Sequence, residues 1–240
     1  MNKFFAKIFK MYSHAEDIMF PHYCCPFCGA ETPNGEVCKD CVSCKITGNV
    51  CKLCGEPIGE ADNICLQCKE GGRKFTASRS AYVYNKLTSG AILRLKFKGA
   101  KYLAKDFAKI IYNLYQATNW HIDLVCCVPS HAKTLRKRWY NQAEEIAKEF
   151  CKLSGLTYCS LLCKTKPTAH QIGSTKQERL VNLKGSIEVT DKWAAKGRNI
   201  LVIDDVITTG STLEACAGVL KLAKAKGVYC LTIAKTPMPS

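Results

Sequence analysis

Two adjacent carboxylates and a hydroxyl-rich loop follow one another between residues 201 and 212. Asp204 and Asp205 end a buried apolar run, and a helix is predicted to begin at Ser211. Backbone N–H groups and the dipole at a helix N-terminus attract anions such as phosphate. Carboxylates repel phosphate, so their position beside this loop needs another explanation. They fit a ligand that also carries sugar hydroxyls, from which they accept hydrogen bonds, or a magnesium ion that they hold. The spacing therefore predicts a site for a sugar phosphate.

In this site we expect the carboxylates to contact the ribose hydroxyls and Mg²⁺, while the loop binds the 5′-phosphate. The predicted loop residues are Thr208, Thr209, Gly210, Ser211 and Thr212. The stretch resembles the loop that binds phosphoribosyl pyrophosphate (PRPP) in type I phosphoribosyltransferases. The alternative is a strand–turn–helix unit whose acidic residues bind no ligand.

Cysteines form a second group of residues with chemical potential, since ten of the 17 lie between Cys24 and Cys68. Four CxxC turns form two successive pairs of similar spacing. Each turn aims two sulfurs at one point, and two turns complete the tetrahedral four-sulfur set that structural zinc prefers. The predicted zinc ligands are Cys25, Cys28, Cys38 and Cys41 in one set and Cys51, Cys54, Cys65 and Cys68 in the other.

Four protein ligands per metal leave no open position, so we expect structural zinc that supplies folding energy to a small domain. An iron–sulfur or redox-active region is the alternative. Cys24 and Cys44 are left over, and Cys44 forms a further CxxC with Cys41. The first residues form no secretory signal, and no apolar run is long enough to span a membrane. We therefore expect a reducing cytoplasm, where clustered cysteines indicate metal.

Positive charge is concentrated in the second part of the chain. Residues 1–70 hold 7 Lys and Arg against 9 Asp and Glu, whereas residues 71–240 hold 28 against 11. Basic residues interleaved with aromatic ones are typical of a single-strand nucleic-acid site. The candidates are Lys96, Lys98, Arg136, Arg138, Trp139, Tyr140 and Arg179. The alternative is a solvated basic face with aromatic residues in the core.

Strands and helices alternate along the second part of the chain. Helices are predicted over 88–97, 102–115, 141–153 and 211–226, and strands over 78–84, 124–128, 159–162, 186–189, 200–203 and 228–234, with a polar, mobile segment over 164–182. This alternation predicts an α/β fold with a parallel sheet flanked by helices, whose ligands bind at the carboxyl ends of the strands. We expect three parts: an amphipathic helix in 1–23, a double zinc-binding domain in 24–72 and the α/β domain in 73–240.

The order of the remaining motifs resembles the ComF family. The cysteine turns and the PRPP-type loop flank Leu95-Lys96-Phe97-Lys98-Gly99, Val128-Pro129-Ser130-His131, Arg138-Trp139-Tyr140-Asn141-Gln142-Ala143, Gln171 and Glu178-Arg179-Leu180-Val181-Asn182. The resemblance implies a double zinc finger joined to a type I phosphoribosyltransferase-like domain. It also implies a cytoplasmic factor of natural transformation that handles incoming single-stranded DNA.

Further roles follow from that resemblance. Ser130 and His131 occupy the place of the pyrophosphate loop, and His131 joins Asp204 and Asp205 as a candidate catalytic residue, with a structural role as its alternative. Asn141 and Gln142 either line the cleft or cap a helix. Trp139 stands where the family commonly has glycine. Because bulky residues rarely adopt positive φ, we expect an ordinary backbone there and a ring that offers a stacking surface.

Three functions stay open at this point. The protein binds single-stranded DNA beside a PRPP-type site, it transfers phosphoribose from PRPP to a base or amine by displacement at C1′, or it is a PRPP-sensing regulator. Whether it is an enzyme is left undecided. The expected partners are PRPP or a related ribose phosphate, single-stranded DNA, and helicase or strand-handling proteins of DNA uptake. We expect a cytoplasmic location that extends to the periphery of the inner membrane face.

Overall fold

The computed structural model describes residues 24–166 and 185–237. The predicted helix in 1–23, most of the predicted polar segment, and the candidate residues Gln171 and Arg179 lie outside these ranges.

The cysteine-rich part consists mainly of turns, with two short helices, α1 at Lys39–Val42 and α2 at Leu66–Gly71. Each helix begins directly after a cysteine of the second CxxC turn in its set. Glycines at positive φ allow tight turns after the first CxxC of each set, at Gly29 and Gly55. A Cβ at Gly55 would lie 2.7 Å from the carbonyl oxygen of Ser78, so this turn packs directly on the first strand.

A four-stranded parallel sheet forms the centre of the second part. Its strands are β1 at Ala77–Val83, β2 at Leu124–Cys127, β5 at Asn199–Ile207 and β6 at Gly227–Lys235. Their spatial order is β1-β6-β5-β2. Two short strands, β3 at Leu162–Lys164 and β4 at Ile187–Val189, form a separate antiparallel pair. The predicted parallel sheet is thus confirmed.

Helices connect these strands. They are α3 at Lys86–Phe97, α4 at Leu103–Gln116, α5 at Ala132–Arg138, α6 at Gln142–Ser154, α7 at Lys192–Ala195 and α8 at Ser211–Leu222. Local signals set several ends. Asn85 and Thr88 form a reciprocal capping box at the start of α3. Asn141 caps α6, which ends at Gly155 in the left-handed conformation.

The two faces of the sheet carry separate apolar cores, because successive strand residues point to opposite sides. On one face, α3, α4 and α6 cover residues such as Leu201 and Ile203, and the first cysteine set joins this core. On the other face, α8 and the β3–β4 pair cover Ile200 and Val202, and the second cysteine set joins that core. The two cysteine sets therefore lie on opposite faces of the sheet.

The chain between the cysteine sets runs along the outer side of β1. The N–H of Ile46 donates to the carbonyl of Ala81 at 2.9 Å, and the N–H of Val83 donates to the carbonyl of Cys44 at 2.8 Å. Further along, the N–H of Ser78 donates to the carbonyl of Leu53 at 2.7 Å. The strand at this end of the sheet thus has backbone partners on both sides.

Some predicted boundaries are wrong. The strand predicted over 159–162 begins instead at Leu162, while Tyr158 forms an isolated bridge with Val125. The helix predicted over 211–226 ends at Leu222, because Lys224 adopts a left-handed conformation with φ of 64°. The helix α5 is absent from the prediction, which treated its basic residues only as a charge cluster.

In the described ranges, 24–166 and 185–237, every helix is too short or too polar to cross a lipid bilayer.

Candidate functional site

The acid pair lies inside β5 and not after it, which corrects the predicted strand end at Ile203. The pairing of β5 with β6 continues to Ile207 opposite Lys235, whereas its pairing with β2 ends at Ile203 opposite Cys127. Asp204 and Asp205 therefore lie where β2 has ended and β5 has lost one neighbour. This end of the sheet forms the crevice in which ligands of parallel α/β folds bind.

Asp205 is buried and forms an ion pair with Lys96 from the last turn of α3. The Lys96 Nζ lies 3.0 Å from Asp205 Oδ1, with 23% of the lysine side chain and 3% of the aspartate side chain exposed. Burial lowers the pKa of Lys96, but the carboxylates of Asp205 and Asp204 raise it by more. The pKa is therefore above its ordinary value, and Lys96 remains a cation. The other oxygen, Asp205 Oδ2, is buried without a hydrogen-bond partner among the described residues.

Asp204 has a different environment from its neighbour. Burial and the adjacent charge of Asp205 raise the pKa of Asp204 to about 7, against the opposing effect of Lys96. Its Oδ1 accepts a hydrogen bond from the N–H of Asp205 at 2.8 Å. Two crowded carboxylates, one with an unsatisfied oxygen, fit a divalent cation or the hydroxyls of a sugar.

The loop after β5 has the form of an anion cradle. Gly210 adopts φ of 80° and ψ of −1° immediately before α8, and the N–H of Ser211 donates to Thr209 Oγ1 at 3.4 Å. The Thr209 and Ser211 hydroxyl oxygens lie 2.8 Å apart, and Thr208 is exposed. The start of α8 and the hydroxyls of this loop thus lie together, and a helix N-terminus is a feature that attracts anions. Thr212, the last predicted cradle residue, is partly exposed in the first turn of α8.

The predicted pyrophosphate loop connects β2 to α5 at the same end of the sheet. Its first N–H, that of Val128, donates to the carbonyl of Ile203 at 3.0 Å. Asn141 holds the loop from behind, since its Nδ2 donates to the carbonyl of Val128 at 2.9 Å. Ser130 is partly exposed, and His131 caps α5 by accepting the N–H of Lys133 on Nδ1 at 3.1 Å.

His131 and Asn141 thus both cap helices: capping was the alternative predicted for Asn141, and a structural role was the alternative predicted for His131. Gln142 accepts a hydrogen bond from Arg138 Nη1 on its Oε1 at 3.2 Å. The side chains of these residues hold local structure around the crevice.

A basic cavity of about 340 Å³ adjoins the acid pair. Its lining residues come from the end of α3 and from α5, and they are Lys96, Phe97, Lys133, Thr134, Lys137 and Arg138. The Arg138 guanidinium lies 4.4 Å from the centre of the Phe97 ring, which is 64% exposed. Lys96 belongs to both features, since it lines this cavity and pairs with Asp205.

The remaining nucleic-acid candidates occupy different environments. Lys98 directly follows α3 and Arg136 lies within α5, and both are exposed. Tyr140 is buried, and its hydroxyl donates to the carbonyl of Leu95. The Tyr140 ring is thus part of the core, which corrects its assignment as a stacking residue.

Trp139 contradicts the expected backbone conformation. It ends α5 in the left-handed region, with φ of 67° and ψ of −4°, the conformation that suits the glycine common in the resembled family. The predicted ordinary backbone at Trp139 is therefore wrong, because a bulky side chain is accommodated at positive φ here. The indole itself is 89% exposed at the helix end, and its role as a stacking surface stays a prediction.

The eight predicted metal ligands meet in two clusters. Within each cluster the four sulfurs lie within 4.8 Å of one another, and the sets are Cys25, Cys28, Cys38, Cys41 and Cys51, Cys54, Cys65, Cys68. Tetrahedral zinc with bonds of about 2.3 Å requires sulfurs about 3.8 Å apart. The Cys28–Cys38 and Cys54–Cys65 distances of 3.5 and 3.6 Å fit that requirement. These clusters could bind zinc.

The leftover cysteines lie outside both clusters. Cys44 is buried and accepts a hydrogen bond from Asn85 Nδ2 on its sulfur at 3.0 Å, so it contacts the cap of α3. Cys24 pairs with Glu31 in an isolated bridge through its backbone.

Sequence reasoning missed two cations of the site. The positive charge of Lys164 on β3 lowers the pKa of Asp204, and burial lowers the pKa of Lys164 itself. Arg73, from the segment before β1, contacts both a cysteine sulfur and α8. Both come from distant parts of the chain, so no local motif identifies them.

The comparisons with known proteins agree with this geometry. The phosphoribosyl transferase domain family matches residues 98–238, which are more than half of the chain, so these residues form a phosphoribosyl transferase domain. Competence protein ComFC from Bacillus subtilis is 30% identical over 226 residues, which cover 85% of this chain and 86% of that protein. The chain belongs to the ComF family of competence proteins, as its motifs predicted.

Two further similarities concern more distant proteins. DNA utilization protein YhgH from Escherichia coli is 25% identical over 207 residues, covering 81% of this chain and 89% of that protein. Glutamine phosphoribosylpyrophosphate amidotransferase from B. subtilis matches 58% of this chain and 30% of its own, with 14% identity and a TM-score of 0.42.

Proposed function

We propose that this protein handles single-stranded DNA during DNA uptake and carries a PRPP-type ribose phosphate site beside its DNA contact. The observation that carries the proposal is the basic cavity next to the acid pair. The names of its relatives support it, since they include a competence protein and a DNA utilization protein.

The cavity has the chemistry of a single-strand contact. Its cations attract phosphates, and exposed rings offer surfaces on which bases of any sequence stack. Phe97 lines the cavity, and Trp139 follows Arg138 at the end of α5. In this proposal Lys133, Lys137 and Arg138 contact phosphates, while the two rings contact bases.

The ribose phosphate site uses the end of β5 and the loop before α8. In our proposal the cradle from Thr208 to Thr212 binds the 5′-phosphate, and the acid pair contacts ribose hydroxyls and Mg²⁺. The unsatisfied Asp205 Oδ2 supports this assignment, because a buried carboxylate oxygen needs a partner. The loop at Ser130 and His131 then faces the pyrophosphate.

A second candidate function is phosphoribosyl transfer, which the intact cradle and acid pair favour. Bound Mg²⁺ would stabilise the departing pyrophosphate, while the carboxylates hold the ribose as positive charge develops on it. In this alternative the residues act by positioning and electrostatics. Release of pyrophosphate in the presence of nucleobases tests it.

Two structural zinc ions complete the proposal, one in each cysteine cluster. The partners that we propose beyond DNA are helicase or strand-handling proteins of uptake. The cytoplasmic location, extending to the inner membrane face, stays a prediction that rests on the clustered cysteines and the family resemblance.

Fluorescence anisotropy of a labelled single-stranded oligonucleotide tests the DNA contact. We expect binding that weakens as salt rises, and Lys137→Ala is expected to reduce the salt slope by about 0.7, the effect of one lost phosphate contact on a single strand. The matched control is Lys196→Ala. Lys196 lies over the exposed Trp193 ring, 5.2 Å from its centre, but precedes β5 and thus sits at the opposite end of the sheet.

Equal losses in the two variants would show that binding follows bulk charge and not this cavity. Undetectable binding at low salt would refute the DNA function, and the transferase alternative would then be tested with acceptor bases. Repeating the titration with Mg²⁺ and PRPP shows whether the two sites communicate.

A further inference from the structure

A buried arginine lies between the second cysteine cluster and the phosphate cradle. Arg73 Nε donates to the sulfur of Cys68 at 3.2 Å, and its Nη2 donates to Gln67 Oε1 at 3.2 Å. Its third nitrogen, Nη1, lies 3.5 Å from Glu214 Oε1 on α8. The Arg73 and Glu214 side chains are only 5% and 10% exposed. A guanidinium this deeply buried depends on all of its partners.

The nitrogen that faces Glu214, Arg73 Nη1, also lies beside the cradle. A Cβ placed on Gly210 would lie 3.6 Å from Arg73 Nη1, so the guanidinium packs behind the residue that opens the cradle. Glu214 lies one turn into α8, and its Oε2 accepts the N–H of Lys74 at 2.9 Å. One carboxylate thus joins the first turn of α8 to two consecutive residues that follow the cysteine cluster.

We propose that Arg73 is a positioning residue that couples metal binding at the second cysteine cluster to the shape of the phosphate cradle. The inference rests on the proposed function, in which the cradle binds a ribose phosphate and the cluster holds zinc. Zinc bound by four thiolates carries a net negative charge. The Arg73 cation therefore lies between two anionic groups, the zinc cluster and the Glu214 carboxylate.

The physical consequence is mutual stabilisation. The cluster fixes Cys68 and Gln67, these hold the guanidinium, and the guanidinium holds Glu214 and the first turn of α8. When the metal leaves, a small metal-dependent segment loses its fold, and Arg73 loses the partners on that side. By thermodynamic linkage, a ligand that stabilises the cradle must also strengthen metal binding at this cluster.

The test uses ribose 5-phosphate without magnesium as the probe, because it needs the cradle for its phosphate and requires neither a divalent cation nor the pyrophosphate loop. Calorimetry measures its affinity, and transfer of zinc to a coloured chelator measures metal release. We expect Arg73→Met to weaken ribose 5-phosphate binding about tenfold, a usual coupling between linked sites, and to speed the release of one of the two zinc ions. In the wild type, saturating ribose 5-phosphate should slow that release, and in Arg73→Met this protection should disappear.

Arg79→Met is the matched control. Arg79 Nη1 donates to the carbonyls of Cys51 and Lys52 at 3.3 and 3.1 Å, so it contacts the same cysteine segment. None of its described contacts involves α8. At full zinc content this variant should keep its ribose 5-phosphate affinity. The first cluster lies on the opposite face of the sheet, so the release of its zinc should not respond to ribose 5-phosphate.

Two results would overturn the inference in distinguishable ways. If the wild type binds ribose 5-phosphate and Arg73→Met binds it equally well, the coupling is refuted while the cradle remains. If the wild type binds neither ribose 5-phosphate nor Mg²⁺–PRPP, the proposed site and the coupling both fail. Should Arg73→Met not fold, Glu214→Leu removes both acceptor oxygens that join α8 to Arg73 and Lys74, and ligand protection of zinc that persists in that variant refutes the coupling.

Discussion

Replacing Trp139 by glycine is expected to stabilise the protein and to weaken its DNA binding. The residue ends α5 with φ of 67°, where an L side chain meets the backbone and glycine does not. Its ring is 89% exposed, so the native fold has little packing to lose when the ring is removed. The same exposure leaves the ring available to stack on a base.

The two effects have different sizes. A left-handed backbone costs an L residue about 1–2 kcal/mol, which the change to glycine removes. The greater freedom of glycine in the unfolded chain lowers the stability by about 0.5–1 kcal/mol. The net gain in the free energy of unfolding is thus about 0.7 kcal/mol. Loss of one stacked base costs about 1–3 kcal/mol of binding, which weakens the DNA affinity between about five and about 150 fold.

Urea denaturation and oligonucleotide anisotropy measure these effects separately. Trp139→Ala is the matched control, because it removes the ring but keeps an L residue at positive φ. It should lose the same DNA affinity as Trp139→Gly without the gain in stability. Equal stability of the two variants would refute the argument from backbone strain. Unchanged DNA affinity in both would remove Trp139 from the proposed DNA contact.

Two further predictions concern the acid pair. Lys96→Met should lower the free energy of unfolding by about 3 kcal/mol, because it leaves the buried Asp205 carboxylate without its cation, and Lys96→Met combined with Asp205→Asn should recover most of this loss in urea denaturation. The pKa of Asp204 is raised to about 7, so between about pH 4 and pH 7 the folded protein binds one more proton than the unfolded chain. The free energy of unfolding that this group contributes is therefore fully present below about pH 4 and is lost as the pH rises through about 7. Urea denaturation across this pH range should show this loss of stability in the wild type and not in Asp204→Asn. Binding of Mg²⁺–PRPP to the wild type should strengthen as the pH rises through 7. A wild-type stability that does not change with pH across this range would contradict the assigned pKa.

The parts of the site that the sequence predicted are those encoded by local patterns. The CxxC turns and the acid pair beside its cradle each lie within a short stretch, and backbone geometry alone brings their atoms together. The alternation of apolar strands and amphipathic helices likewise predicted the parallel sheet. The end of β5 was predicted wrongly, at Ile203. The strand extends past Asp205 because β6, which is distant in sequence, pairs with it as far as Lys235.

The contacts that escaped prediction join distant segments. Lys96 looked like one member of a basic cluster, and only the packing of α3 beside β5 places it against Asp205. Arg73 belongs to no motif, yet tertiary structure buries it between the second cysteine cluster and α8. Trp139 shows a different limit: side-chain bulk disfavours positive φ by an energy that a helix end can overcome.

The chain between the two cysteine clusters has a consequence for how molecules of this protein meet one another. It occupies the outer side of β1, where Ala81 and Val83 would otherwise present unpaired backbone groups. An open strand at the margin of a sheet is a template for pairing with a second chain. The cysteine clusters anchor this covering at both ends, so stripping their metal should produce insoluble assemblies before it produces a fully unfolded monomer.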